Sequence, residues 1–255
     1  MVEQLAGAGL LAVGVRRHVH VRGEKPVPEL DDQRPPGPPR AAAPQSVVFD
    51  LDGVIASGDT MAALIRRRLL SNPIRALVGA VPAVAWTVLR RFPRIRVRIS
   101  RALGSIALSG LTSERYATLA RQVGGELGAD PAWVLTAGLE AIRRHLDAGD
   151  SVVVTTGTEA LLSRAFLDAL GLDGVGLIGT SVRFGRLRAC YSNHNLGDRK
   201  AANLAGREVD LFYTDSDLDL SVAGLSGRTV LVNPDIRTER HFRDQVADVT
   251  VVSWA

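Results

Sequence analysis

Cysteine, aromatic residues and, over one long stretch, acidic residues are scarce in this 255-residue chain, and each shortage excludes something. Cys190 is the only cysteine, so no intramolecular disulfide can form and a reducing compartment, the cytoplasm, is the expected setting. His18, His20, His145, His194 and His241 have no zinc-ligand spacing with that cysteine, which argues against a zinc site. Aromatic residues make up 5% of the chain, too few for the stacking platforms of single-stranded nucleic-acid binders, and no nucleic-acid partner is expected. Leu5–Val15 is apolar but glycine-rich, has no basic segment before it and is followed by Arg16-Arg17, a poor match to a signal peptide.

From Thr60 to Ser113 there is no Asp or Glu. The same stretch holds ten arginines, Arg66, Arg67, Arg68, Arg75, Arg90, Arg91, Arg94, Arg96, Arg98 and Arg101. The formal net charge is only +4, so the remainder of the chain is net acidic. Inside this basic zone Ala76–Leu89 runs for fourteen residues without a charge and includes Trp86. As a helix it would be roughly 21 Å long at ~1.5 Å per residue, short of the ~30 Å needed to cross a bilayer. Pro82 predicts a bent or broken element. A short apolar helix bracketed by arginines, with a tryptophan, suits the headgroup layer of an anionic membrane, here the inner face of the cell membrane. The alternative is a buried helix whose flanking arginines are solvated.

What is present in quantity is apolar and punctuated by proline. A hydrophobic content of 46% over this length can bury a full core plus a smaller accessory domain. Residues 26–44 hold seven of the twelve prolines, so residues 1–45 are expected to be a disordered extension without a catalytic role. Beyond it, strand candidates at Val47–Phe49, Val152–Val154, Val175–Ile178, Leu211–Tyr213, Val230–Val232 and Val249–Val252 alternate with helices, as a doubly wound parallel α/β sheet requires. Glu159–Leu170 is predicted as a helix stopped by Gly171, and Ser181–Phe184 with Leu187–Tyr191 as a hairpin about Gly185-Arg186. Between residues 59 and 149 no strand is predicted. Helical periodicity there is clear in Ser113–Leu127 and, with Asp130 as N-cap and Pro131 following, in Ala132–Leu146.

The chemistry is concentrated at strand ends. Val47-Val48-Phe49-Asp50-Leu51-Asp52-Gly53-Val54 places two carboxylates just beyond a short buried strand, with Gly53 where the chain must turn. Asp50 can attack an electrophile or hold a divalent cation, and Asp52 can move a proton beside it. A second apolar strand ends in Thr155-Thr156-Gly157-Thr158, Lys200 follows Gly197-Asp198-Arg199, and a further strand ends in Thr214-Asp215-Ser216-Asp217-Leu218-Asp219. Asp217 would face away from Asp215 on an extended strand end, so it is assigned to turn or solvent.

This ordered set, over roughly residues 46–252, resembles the four motifs of the haloacid dehalogenase (HAD) superfamily of phosphohydrolases. The resemblance implies a Rossmann-like core at 46–58 and 150–255 and a helical C1 cap at 59–149, of the phosphoserine-phosphatase-like branch. It implies Asp50 as nucleophile, Asp52 as general acid and base, and phosphate binding by Thr156, Gly157 and Lys200. It further implies a Mg2+ site from Asp50, Asp52, Asp215 and Asp219, in which Asp52 offers its backbone carbonyl and Asp219 stands either as ligand or just behind. Asp59 sits where such phosphatases place an acidic residue on the substrate side, although an N-cap role would account for it equally. Ile65–Pro73 leading into Ala76–Leu89 is similar to the cap of type C phosphatidylglycerophosphate phosphatases, which implies a phospholipid headgroup as substrate. Asn193-His194-Asn195 departs from the family pattern ahead of Gly197 and puts the pocket there in question. Two rival expectations stand beside a lipid phosphatase: a phosphatase of phosphoserine type acting on small molecules, and a catalytically silent lipid-binding protein that keeps the fold.

Overall fold

The computed structural model describes residues 43–89, 93–185 and 189–254, so the proline-rich extension lies outside the described residues except for 43–45. The chain enters through strand β1 (Ser46–Phe49). Five helices follow, α1 (Thr60–Leu70), α2 (Pro73–Val88), α3 (Pro93–Leu108), α4 (Ser113–Ala129) and α5 (Thr136–Asp147). The alternating half continues with β2 (Ser151–Glu159), α6 (Ala160–Ala169), β3 (Gly176–Phe184), β4 (Ala189–Asn193), α7 (Asp198–Asn203) and β5 (Leu211–Thr214). It ends with α8 (Leu220–Ala223), β6 (Arg228–Val232), α9 (Ile236–Gln245) and β7 (Val249–Val252).

The seven strands form one sheet in the order β4-β3-β2-β1-β5-β6-β7, parallel except for the antiparallel β3–β4 pair. The doubly wound sheet expected from the sequence is the one observed. Val47, Val48 and Phe49 are buried because β1 is central and both sheet faces are covered. Val47 and Phe49 pack with Val154, Phe166 and Ile142 on one face, and Val48 packs with Phe212, Leu231 and Phe242 on the other. The strand order reverses at β1, with β2 and β3 to one side and β5 to β7 to the other. At such a reversal the connecting loops diverge and leave a crevice at the strands' carboxyl ends.

Several local expectations are corrected. The helix expected at Ala132 begins at Thr136; Pro131–Trp133 is instead a 3-10 turn in which the Asp130 carboxylate accepts from the Ala132 N–H. The intervening residues are taken by pairing, Val134 with Ala56 and the Leu135 N–H with the Ile55 carbonyl at 2.8 Å. Helix α2 starts at Pro73, capped by the Asn72 side chain, and continues through Pro82 without a break. The carbonyl of Val78 loses its donor there, but Val78 is more than half exposed, where water can replace the bond. The strands expected at Val175–Ile178 and Ser181–Phe184 are not separate: β3 begins at Gly176 and runs through both, its inner half pairing with β2 and its outer half with β4. Part of the hairpin turn, residues 186–188, lies outside the described residues.

The helical segment is not uniform. Helix α5 packs on β2, with Ala141 and Ile142 in the sheet's own core, and α4 lies along α6. Helices α1, α2 and α3 pack mainly on one another. Among the described residues no helix is long and apolar enough to cross a membrane.

Candidate active site

Parallel pairing of Phe49 with Val154 and with Tyr213 fixes what meets at the sheet's carboxyl edge. The Asp50 N–H still donates to the Tyr213 carbonyl at 2.8 Å, so the carboxylate leaves β1 level with the ends of β2 and β5. Asp50 is buried; one oxygen accepts from the Leu51 N–H at 2.7 Å and the other lies 2.9 Å from Lys200 Nζ. Lys200 is itself buried on α7 and reaches Asp219 Oδ2 at 2.7 Å. Burial alone would lower the Lys200 pKa, but Asp219 and Asp50 more than offset it and hold the ammonium charged. The Thr214 hydroxyl donates to the same Asp219 oxygen at 2.8 Å.

Asp52 occupies a different environment. Its Oδ1 accepts from the N–H of Thr60 at 2.9 Å and from the Thr60 hydroxyl at 2.8 Å. Its Oδ2 accepts from the Thr158 hydroxyl at 2.7 Å and lies 3.5 Å from the Thr156 hydroxyl. Burial, and then the charge of Asp59, push its pKa up to about 6, while the Thr60 and Thr158 donors pull the other way. Asp50 is raised well above the carboxylate range by burial, against the attraction of Lys200. Asp215 is pushed up to about 7, by burial first and by Asp219 second. A Cβ added to Gly53, whose φ is +79°, would lie 2.0 Å from Asp215 Oδ2. Only glycine lets the turn after Asp52 pass beneath that carboxylate.

These residues allow a test of whether a cation fits. Asp50, Asp215 and Asp219 are balanced by one ammonium, so the cluster is short of positive charge by more than one unit when the carboxylates ionise. Among the described residues no three carboxylate, imidazole or thiolate groups already converge on one point. A hard divalent ion that takes a few carboxylates, a backbone carbonyl and several waters fits that donor set, whereas a tetrahedral zinc site does not.

The structure brings Asp50, Asp52, Thr156, Lys200, Asp215 and Asp219 together at one edge of the sheet. Thr156 is buried, and its oxygen accepts from the Thr158 N–H at 3.0 Å. Thr155 instead accepts from Asn195 Nδ2 at 3.0 Å. The Gly157 carbonyl accepts from the Thr180 hydroxyl at 2.6 Å. Asp59 is exposed and caps α1, accepting from the Ala62 N–H at 2.7 Å, and it reaches this cluster only through its charge on Asp52. Asp217 is half-buried in a 3-10 turn, 3.6 Å from His241 Nδ1.

Three contributors escape the motif reading. Thr60 supplies two of the donors to Asp52, and Thr158, visible within its motif, supplies another without a role having been assigned to it. Asn195 is completely buried, and its Nδ2 lies within 3.0 Å of Thr155 Oγ1, the Thr156 carbonyl and the Ile178 carbonyl. Its Oδ1 accepts from Asn203 at 2.8 Å, so the stretch read as a departure from the pattern ties β2, β3 and α7 together beneath Thr156. Next to it, His194 accepts at Nδ1 from Arg101 Nε at 2.9 Å; burial and that guanidinium lower its pKa to about 4 and keep the ring neutral. Arg101, Tyr191, His194 and Arg199 line a cavity of about 440 Å³ beside Leu196. The Tyr191 hydroxyl is pushed up to about 12, by burial and then by the charge of Asp59.

Residues 47–224 match the family described as haloacid dehalogenase-like hydrolases, and the chain belongs to that family. It is 27% identical over 230 residues to a Mycobacterium tuberculosis protein named phosphoserine phosphatase SerB1, covering 84% of this chain and 71% of that one. It is 29% identical over 150 residues to a Mycobacterium leprae protein, ML2424, named as a hydrolase, and that match covers 54% of this chain. The matched region spans about half, 48%, of the length of that relative. The fold is similar to that of a phosphoserine phosphatase solved in its apo form, with a TM-score of 0.50 at 15% identity, covering 82% of this chain and 93% of that one.

Proposed function

We propose that this chain is a Mg2+-dependent phosphomonoester hydrolase that works through an aspartyl-phosphate. The observation that carries this reading is the contrast between two carboxyls separated by one residue. Asp50 is held beside an ammonium, and Asp52 is surrounded by hydroxyl and amide donors with a pKa near 6. In this reading Asp50 attacks phosphorus in line with the leaving oxygen. Asp52, protonated in a useful fraction near neutrality, gives its proton to the leaving alcohol and then takes one from the attacking water. Lys200, the Thr156 hydroxyl and the Gly157 backbone bind the transferring phosphoryl oxygens, and Lys200 restrains Asp50. Asp50, the Asp52 carbonyl and Asp215 would hold Mg2+, with Asp219 positioning Lys200. When bound, the ion supplies charge compensation for the phosphoryl group and its carboxylate neighbours.

The leaving group would meet the surface between Asp59 and the cavity lined by Arg101, Tyr191 and His194. An acidic Asp59 suits the amine of a phosphoserine-type substrate, in keeping with the name of the M. tuberculosis relative. A phospholipid phosphomonoester such as phosphatidylglycerophosphate is the second reading, favoured by the acid-free arginine segment, whose field would concentrate an anionic lipid substrate near the site.

The test is turnover of p-nitrophenyl phosphate with and without EDTA, followed by phosphoserine, other soluble phosphomonoesters and phosphatidylglycerophosphate in vesicles. Mg2+-dependent hydrolysis is expected. A phosphoserine kcat/KM orders of magnitude above that for the lipid removes the lipid reading. No hydrolysis of any member of the panel removes the enzyme and leaves a silent binding protein.

A further inference from the structure

We infer that α2 and its arginine flanks form a docking face for the surface of an anionic phospholipid bilayer. The inference rests on surface geometry and stands apart from the catalytic reading. Ile74, Leu77, Val81, Val84 and Val88 follow one another at spacings of three and four residues, which places them in one stripe along α2. These aliphatic side chains are 63–76% exposed. The helix is nevertheless anchored from behind. Gly79 is buried against Leu69, and Trp86 Nε1 donates to the Ser100 hydroxyl of α3 at 3.1 Å. The stripe is therefore not a core face left open by a loose helix.

Charge selects the occupant. Arg75 lies within α2, Arg90 and Arg91 follow it directly in sequence, Arg98 is exposed on α3, and no acidic residue occurs from Thr60 to Ser113. Crowding of like charge is already felt inside the segment: the Arg68 pKa is lowered by burial and, after that, by Arg75. The four-three spacing would also suit a coiled-coil seam with a second copy. A symmetric contact would, however, set this arginine-rich segment against itself with no carboxylate from the segment to answer it. An anionic lipid surface meets both needs, taking the aliphatic stripe among its acyl chains and the guanidinium groups among its phosphates. The sixteen residues of α2 make about 24 Å of helix at ~1.5 Å each, so it would lie in the plane of the interface rather than cross it.

Sedimentation of the full-length chain with vesicles of phosphatidylcholine mixed with phosphatidylglycerol tests this. The protein is expected to pellet with them at low salt, to be released as salt is raised, and to ignore vesicles of phosphatidylcholine alone. The triple variant Leu77→Ser, Val81→Ser, Val84→Ser is expected to lose more than about tenfold in partitioning. Its turnover of p-nitrophenyl phosphate should stay unchanged, so a docking failure and a catalytic failure read differently. Wild type remaining in the supernatant, or the triple variant pelleting equally well, overturns the inference. Light scattering that shows a dimer dissolved by the same triple variant, without vesicle binding, assigns the face to a second copy and overturns it too.

Discussion

The carboxyl edge of the sheet and the α1–α3 helices carry opposite imbalances of charge, and they handle them in opposite ways. At the sheet edge carboxylates are in surplus, and both oxygens of Asp50, both of Asp52 and Oδ2 of Asp219 are met by a hydroxyl, an amide or the Lys200 ammonium. Along α1–α3, Arg66, Arg67, Arg98 and Arg101 are exposed in a segment that also carries a stripe of bare aliphatic side chains. The first region suits a small, highly charged group held in one geometry, because burial makes any misplaced charge expensive. The second has a composition and an exposure that suit a broad, soft anionic surface. In the first, loss of one partner should be felt throughout; in the second, changes should be felt only by what docks there.

Four perturbations would break or sharpen that contrast. Asp50→Asn should reduce turnover of p-nitrophenyl phosphate by at least about a thousandfold with the fold intact, since it removes the proposed nucleophile. Wild-type turnover in this variant would end the aspartyl-phosphate reading. Lys200→Ala strands two buried carboxylates and should cost roughly 3–5 kcal/mol in denaturant unfolding as well as activity. A loss confined to activity would mean that the charge pairing does not support the fold.

Asn195→Ala leaves the Thr155 hydroxyl and two strand carbonyls without their shared donor, and about 1–3 kcal/mol should be lost. At the far end of the scale, Leu77→Ser on the exposed stripe should move stability by less than ~0.5 kcal/mol. A drop of several kcal/mol there would mean that the stripe is covered and would erase the contrast.

Acidity offers a further handle. Asp52 and Asp215 bind protons more tightly in the folded protein than in the unfolded chain, where carboxyls titrate near 4. Folding is therefore favoured at low pH by these groups, and that contribution is lost as pH rises through about 6 and 7. In EDTA the Tm should fall by a few degrees between pH 5 and 8, and added Mg2+ should raise it more at pH 8 than at pH 5. An equal Mg2+ effect at both pH values would separate these two carboxyls from the ion.

Much of the sheet edge was legible because its residues follow short buried strands whose side-chain alternation is strict. Asp50, Asp52, Thr156 and Asp215 come together once parallel pairing brings those strand ends level. Lys200 carried a further signal, since the chain contains only one other lysine, Lys25, and otherwise uses arginine for its cations. A compact ammonium fits between two carboxylates where a planar guanidinium would not. Asn195 and Thr60 were not legible, because their partners lie on elements distant in sequence and are set by packing. Thr136 could not be read as the start of α5 for a similar reason: Val134 and Leu135 have helical periodicity but are claimed by pairing with Ala56 and Ile55. The continuity of α2 through Pro82 depends on an exposed environment that the residue type alone does not reveal.

The turn after Asp52 is bound more tightly than its sequence, Gly53-Val54-Ile55-Ala56, suggests. The N–H groups of Gly53, Ile55 and Ala56 are all donated within the turn at 2.8–2.9 Å. The Leu135 N–H closes on it from outside, and a Cβ added to Gly138 of α5 would come within 1.9 Å of the Val54 carbonyl. In the language of hydrogen exchange, these amides are expected in the slowest class, released only when the sheet itself opens, although they sit in a loop. A turn bound in this way should keep the spacing of the two carboxyls fixed and leave any hinge to other segments.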